Sequence, residues 1–502
     1  MTTVLNNKQS TRGWIQDRVK PEQIEKYLDN GQDFIDEPAI ERALAANTSC
    51  DTGRVRDILA KSLAIETLTP DETACLLHVT DPELLAEMQQ AAAAVKTKVY
   101  DNRIVTFAPL YLSNLCVNDC VYCGFRCSNR AESRRILSQD EVRREAEVLA
   151  GQIGHKRLIV VYGEHPKSGL EYMAETLRTI YDVKVKTRCG WGSIRRCNVN
   201  AAPMSIEELR ILHDAGIGTF QVFQETYHKK TYGRLHPSNT IKGNYRWRLY
   251  CMHRAMEAGI DDVGIGPLFG LYDWKFEVMG LLSHAIELEK KFGIGPHTIS
   301  FPRLEPAHNT PFVQKLQHGV SDDDFKRLVT VIRLAVPYTG MIVTARENAQ
   351  LRRETLPLGC TQLDASSRIG IGGYSDRPDD RQQDDRQQFI LGDTRSLDEV
   401  IRELAQAGSI TSFCTAGYRC GRTGEKIMGL LRSGKEGRFC KLNAAITFRE
   451  WLDDFASPET MAAGEQVIAK EIEQVRQRMP EIFELFMGCY EKTRTGQRDL
   501  YF

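Results

Sequence analysis

From about residue 100 to residue 370, short apolar runs alternate with stretches in which apolar and charged residues recur at helical spacing. Eight runs have strand length and are bounded by helical or turn segments: 104–111, 157–163, 194–201, 217–223, 262–266, 297–301, 341–345 and 360–365. The intervening helices carry start signals. Ser138 with Glu141, and Ser205 with Glu208, have the spacing at which two side chains satisfy each other's unpaired backbone donors. A strand followed by a helix, eight times over, predicts a parallel sheet closed as a (β/α)8 barrel. An open doubly wound sheet is the structural alternative.

The pattern differs on either side. Residues 1–95 read as an N-terminal helical region, with helices at 21–30, 38–46, 71–77 and 81–95 and no catalytic constellation. Residues 376–388, DRPDDRQQDDRQQ, are almost wholly polar and read as a linker or exposed loop. Beyond them, 396–407, 424–431, 448–456 and 458–478 read as helices. The expected organisation is therefore a helical region (1–95), a barrel (96–375) and a helical C-terminal domain (376–502).

Charge narrows the partners. With 66 basic and 67 acidic residues the net charge is −1, which points to neither nucleic acid nor an anionic membrane. No apolar run approaches the roughly 20 residues that span a bilayer, and the first 19 residues do not resemble a secretory signal. The expected location is cytoplasmic. In that compartment fourteen cysteines suggest metal chemistry rather than disulfides. Cys116, Cys120, Cys123 and Cys127 lie within twelve residues, and Cys414, Cys420 and Cys440 form a looser group. Cys50, Cys75, Cys189, Cys197, Cys251, Cys360 and Cys489 stand apart, and most of them read as small buried hydrophobes.

The segment PLYLSNLCVNDCVYCGF leaves the first strand and offers thiolates at spacings of four and three. Three thiolates can hold a 4Fe-4S cluster with one iron left open, which is what a catalytic metal needs. A structural zinc site with Cys127 as fourth ligand is the competing explanation. The position on the C-terminal edge of a barrel strand, where catalysis concentrates, favours the cluster and leaves Cys127 a bystander.

C-x3-C-x2-C after the first strand resembles the radical S-adenosylmethionine (SAM) enzymes, in which SAM chelates the open iron. Tyr122 sits between the last two cysteines, as an aromatic residue does in that family, and Gly163-Glu164 after the second strand resembles its SAM-binding glycine-and-acid motif. The runs VYGEHP (161–166), IRRCNVNAAPMS (194–205), GIGTFQVFQETYH (216–228), RAMEAGIDDVGIGPLFGLYDWKFE (254–277), GPHTISFPRLEPA (295–307) and VPYTGMIVTARE (336–347) resemble the tyrosine-lyase branch. That branch comprises the 2-iminoacetate synthases of thiamine biosynthesis and the HydG maturases of FeFe hydrogenase. The resemblance covers about residues 100 to 455 and implies a radical SAM (β/α)8 TIM-type barrel.

The C-terminal blocks CTAGYRCGRTGE and FCKLNAAITFREWLDDFA resemble HydG, whose second iron–sulfur cluster sits on C-x2-C-x22-C. Cys414 and Cys440 fall on the outer positions, but the middle one is Gly417. Either Cys420 replaces the missing ligand or the second cluster is lost.

The resemblance implies that one electron through the Cys116/Cys120/Cys123 cluster cleaves SAM, and that the resulting radical breaks the Cα–Cβ bond of L-tyrosine. The products are p-cresol and dehydroglycine (2-iminoacetate), with onward conversion to carbon monoxide and cyanide in HydG. It also implies a one-electron donor such as flavodoxin or ferredoxin, and hydrogenase maturation proteins as partners. By position and chemistry Glu225 is a candidate for SAM, and Arg303, Arg346 and Arg368 are candidates to clamp a carboxylate of tyrosine or SAM. His297 is a candidate for the phenol, with Ser366 and Ser367 as weaker candidates. Three functions stay open: a HydG-like tyrosine lyase, a 2-iminoacetate synthase for thiamine, and a non-catalytic iron–sulfur scaffold.

Overall fold

The computed structural model describes residues 11–376, 386–420, 429 and 436–502. Eight strands form the barrel: β1 (Arg103–Ser113), β2 (Arg157–Tyr162), β3 (Arg196–Asn200), β4 (Phe220–Gln221), β5 (Val263–Ile265), β6 (Thr298–Ser300), β7 (Gly340–Val343) and β8 (Gln362–Asp364). Each lies within or overlaps one of the eight apolar runs. Neighbours pair in parallel in chain order, and β8 returns to β1 with Val105 opposite Gln362, which closes the ring. The open-sheet alternative is thereby excluded. All eleven residues of β1 are buried, which explains why its mostly apolar run shows no alternation: a strand covered on both faces has no solvent side to mark.

Helix starts follow the local chemistry. The reciprocal bonds expected at Ser138/Glu141 and Ser205/Glu208 are both present, and the same device opens Pro70–His78 at Thr69/Glu72 and Leu397–Gln406 at Ser396/Glu399. In the N-terminal region the expected helix at 21–30 shortens to Glu22–Glu25, and further on Asn30 and Gly31 turn the chain at φ 48° and 77°. A helix not anticipated, Thr52–Leu63, starts on the Asp51 side chain. Cys50 and Cys75, read as separate buried hydrophobes, are instead joined as a disulfide with Cα atoms 5.8 Å apart.

The C-terminal part is built onto the barrel. Leu397–Gln406 is followed by a ninth strand, β9 (Ile410–Ser412), which pairs in parallel with Arg103–Val105 of β1 before β2 takes over at Ala108. Helices Glu436–Phe455, Pro458–Arg478 and Phe483–Arg494 complete the fold. The expected helix at 448–456 is the end of the first of these, and that at 424–431 falls largely outside the described residues. Glu450 anchors this unit. Burial alone would raise its pKa, but Lys156 at 2.9 Å and Arg195, both at the barrel's N-terminal end, hold it down at about 2. Among the described residues no helix is long and apolar enough to cross a membrane.

Candidate functional site

Because the barrel strands run parallel, their C-terminal ends share one rim, and β1 runs directly into the three-cysteine loop there. A cavity of about 1500 Å³, counting its open mouth, has Cys116, Cys120 and Cys123 in its wall. Burial pushes the Cys116 thiol up to about 11 and the Cys120 thiol up to about 12. These thiols therefore stay protonated at neutral pH unless a cationic group takes them as ligands. Among the described residues no three His, Cys, Asp or Glu side chains converge on a single ion position, which argues against a mononuclear zinc site. Cys127 is exposed and outside the cavity wall. A donor set of three clustered thiols and no fourth ligand fits a cubane cluster, in which each thiolate binds a different iron and one iron stays open.

The segment after β2 clamps this loop. Gly163 N donates to Ser113 O at 2.9 Å, and Val117 N donates to Glu164 O at 2.8 Å. A Cβ on Gly163 would stand 2.2 Å from the Leu115 carbonyl, so only glycine lets the strand end lie against the cysteine loop. Asn118 Nδ2 donates to Glu164 Oε2 at 2.5 Å, while Glu164 Oε1 is buried without a hydrogen-bond partner. Burial raises the Glu164 pKa, opposed by Arg18 and Asn118. A Gly163→Ala variant is expected to lose about 1–3 kcal/mol of stability and to bind less iron on reconstitution. Thermal unfolding and iron assay of the same preparation check both.

Glu225 sits beyond β4 at φ 73° and is buried. Burial would raise its pKa, but Lys242 Nζ at 2.6 Å and Arg248 Nη2 at 3.0 Å overcome that and hold it at about 2. Lys242 also donates its backbone N–H to Asn118 Oδ1 at 2.9 Å, so the charge triad is tied to the cysteine loop. Lys242 and Arg248 escaped the sequence reading because they lie in a helical segment, where basic residues are commonplace. Tyr122 is buried, and its hydroxyl lies 2.8 Å from His236 Nε2. Burial lowers the His236 pKa to about 3. The neutral ring therefore donates from Nδ1 to the Tyr232 carbonyl and accepts from Tyr122.

The structure separates the remaining candidates. Arg346 lines the cavity with its guanidinium 3.3 Å from the Phe389 ring centroid. Among the described residues no carboxylate pairs with it. Arg303 lies outside the wall, held by Glu347 and by Asp322 at 2.8 Å. Arg368 packs along its own loop, with Nη1 3.4 Å from Gly373 O. His297 precedes β6 at the opposite end of the barrel, close enough to Asp262 to affect its charge. Ser366 Oγ accepts from Leu397 N at 2.7 Å and Ser367 Oγ donates to Asp364, so both serve local structure. Glu305, not singled out in the sequence, shares the wall with Arg346, and burial pushes it up to about 7. The end of the polar run meets the barrel: Gln387 is buried and Gln388 borders the cavity.

A second, smaller pocket lies at the other end of β1. Cys414, Gly417 and Cys440 line it together with Arg103 and Asn443. The Tyr100 phenol is held above its ordinary range by burial and then by these two cysteines. Cys420 is not in that wall. It is exposed, with Sγ 3.5 Å from the Phe502 carbonyl, so the structure does not bring it to the missing position.

Comparison with known proteins follows the same division. Residues 110–279 match the radical SAM superfamily, and residues 300–410 match the biotin and thiamin synthesis associated domain. The 2-iminoacetate synthase of Salmonella typhimurium is 31% identical over 361 residues, covering 71% of this chain and 89% of that protein. The crystal structure of HydG, a maturase of the FeFe-hydrogenase, superposes with a TM-score of 0.88 at 45% identity, covering 94% of this chain and 100% of that one. HydG from Carboxydothermus hydrogenoformans gives a TM-score of 0.74 at 36% identity, covering 94% and 99%.

Proposed function

Since the chain belongs to the radical SAM family, in the branch that holds 2-iminoacetate synthase and HydG, we propose that it cleaves the Cα–Cβ bond of L-tyrosine to p-cresol and dehydroglycine. The observation that carries this reading is the meeting, in one cavity, of three cysteines, the Gly163-Glu164 clamp and Arg346, an arginine with no direct carboxylate ion pair among the described residues. In this reading Cys116, Cys120 and Cys123 hold a 4Fe-4S cluster, and Glu164 with the adjoining backbone binds the SAM amino group. The chemistry that such a cluster and SAM supply when bound is one-electron cleavage of SAM to methionine and a 5'-deoxyadenosyl radical. Glu225, fixed as a carboxylate by Lys242 and Arg248, orients SAM, and Tyr122 backs the cysteine loop.

Arg346 clamps the tyrosine carboxylate, with Phe389 keeping its guanidinium flat against the wall. Glu305, near half-protonation at neutral pH, keeps an exchangeable proton in the same cavity. The largely apolar wall excludes water from the radical. Arg303, Arg368 and His297 act on packing rather than on substrate. Residues 96–375 would be the catalytic barrel, 1–95 its support, and 376–502 an extension corresponding to the second-cluster domain of HydG. A flavodoxin or ferredoxin in the cytoplasm would supply the electron, and hydrogenase maturation proteins would receive the product. With Gly417 in the lower pocket, the chain retains the lyase step and lacks the site for carbon monoxide formation.

Anaerobically reconstituted protein given SAM, dithionite and tyrosine is expected to release p-cresol and methionine without carbon monoxide. Arg346→Ala should lower kcat/KM for tyrosine by roughly 10²–10³-fold, the scale of removing one partner from a buried charge pair. No p-cresol from protein that holds its cluster and cleaves SAM would sink the tyrosine reading.

A further inference from the structure

The end of the polar run does work that its composition conceals. Gln388 Nε2 donates to Cys123 Sγ at 3.5 Å, and the Tyr111 hydroxyl donates to Gln388 Oε1 at 3.2 Å. The backbone is seated as well. Gly124 N donates to Gln388 O at 3.3 Å, and a Cβ at Gly124 would stand 2.9 Å from that oxygen and 3.0 Å from Gln387 O. Glycine at 124 is what lets the strap lie on the cysteine loop. Two residues later Ile390 N donates to Pro306 O at 2.8 Å, and Gly392 N donates to Ala345 O at 2.8 Å. Between these anchors Phe389 stacks on Arg346. One strap thus touches a cysteine of the loop and the arginine of the cavity.

The orientation of the Gln388 amide follows from charge. A thiolate only accepts, so an amide oxygen facing it would be repelled; the NH2 must face sulfur, leaving the oxygen for Tyr111. Among the described residues two side-chain amides reach these cysteines, Gln388 on Cys123 and Asn118 on Cys116 at 3.8 Å. Of the two, Gln388 comes from outside the loop, 265 residues away.

We propose that Gln388 is a positioning residue that raises the reduction potential of the cluster on Cys116, Cys120 and Cys123, and that the strap carrying it links this tuning to the Arg346 side of the cavity. A donor on a ligand sulfur stabilises negative charge, and reduction adds one such charge to the cluster, so the reduced form gains more. The step transfers one electron from a low-potential donor, dithionite in the assay, with no proton moved and no protein bond made or broken. The inference rests on the cluster reading above but not on tyrosine as substrate.

The test is a redox titration of reconstituted protein, followed by the electron paramagnetic resonance signal of the reduced cluster, without substrate. At the potential that half-reduces the wild type, Gln388→Leu is expected to show a reduced-to-oxidised ratio about tenfold lower, a midpoint roughly 59 mV more negative for one electron. Gln388→Glu, which sets a carboxylate beside the thiolate, should shift it further in the same direction. It decides the matter if the leucine variant takes up no iron. An unchanged or raised midpoint in an iron-replete variant overturns the proposal. A wild type with no reducible cluster overturns the cluster reading and this proposal together, whereas absent p-cresol with a normal titration leaves the proposal standing and removes only the lyase assignment.

Discussion

A Cys120→Ser variant will keep the barrel fold and lose the cluster. Iron after anaerobic reconstitution should fall from about four atoms per chain to near zero, and SAM cleavage should fall to background. Cys120 is 5% exposed and packs against Leu235, Leu268 and Leu271 in a small apolar cluster of its own. Serine is close to cysteine in size, so the packing change is small. Burial already keeps the unliganded thiol protonated, so folding does not depend on a charge that serine lacks. Among the described residues no histidine, aspartate or glutamate joins the cysteines to complete a site, and the exposed Cys127 is outside the wall. With two thiolates remaining, a four-iron cluster has two open irons and is readily lost. Circular dichroism checks the fold and iron assay checks the site. A Cys120→Ser protein that retains its full iron would show that the loop is not the ligand set.

Gly417→Cys is expected to raise iron from about four to about eight atoms per chain, and to add a second reduced-cluster signal. Cys414, Gly417 and Cys440 already share one pocket wall. Gly417 lies in the helical turn Ala416–Arg419, a conformation that any L residue adopts, so the new side chain meets no backbone strain. Cys414 is held at φ 47°, an unusual conformation that fixes where its side chain leaves the chain. The lower pocket therefore holds two thiols, with Gly417 beside them. The effect is large because cluster assembly depends steeply on ligand number. Iron unchanged by Gly417→Cys would mean that the pocket has lost more than one ligand. Cys420→Ser, by contrast, should leave iron content as in the wild type, since its sulfur sits against the Phe502 carbonyl.

The features legible in the sequence are those written in short stretches of chain. The strands appear as largely apolar runs because a strand covered on both faces has no solvent side, although buried polar residues such as Asn198, Gln221 and Asp364 interrupt them. The helix starts at Ser138 and Ser205 appear because a capping pair spans three residues. The cysteine loop is legible because its three thiols lie close together in one short stretch of chain. Gly163 is legible only in company: its place after β2 suggests a role, but the Leu115 carbonyl that forbids a side chain there belongs to another loop.

Other features depended on which distant segments meet. Three arginines follow barrel strands in the sequence, yet Glu347 and Asp322 occupy Arg303, the Gly370–Tyr374 loop occupies Arg368, and the cavity receives Arg346. His297 opens its apolar run rather than following it, and it precedes β6, which places it at the far end of a parallel barrel from those arginines. Strand β9 is three residues long, too short for any periodicity, and exists because the start of β1 offers an unpaired edge.

By itself, then, the sequence pointed to the barrel, the three cysteines on its rim and the glycine standing between Cys414 and Cys440. These rest on periodicity and spacing, which are local. The tertiary structure alone decided that Gln388 returns to Cys123, that Lys242 and Arg248 pair with Glu225, and that Arg346 rather than Arg303 or Arg368 lines the cavity. Each is a contact between residues far apart in the chain, and a polar side chain carries no mark of its partner until folding removes the water that would otherwise satisfy it.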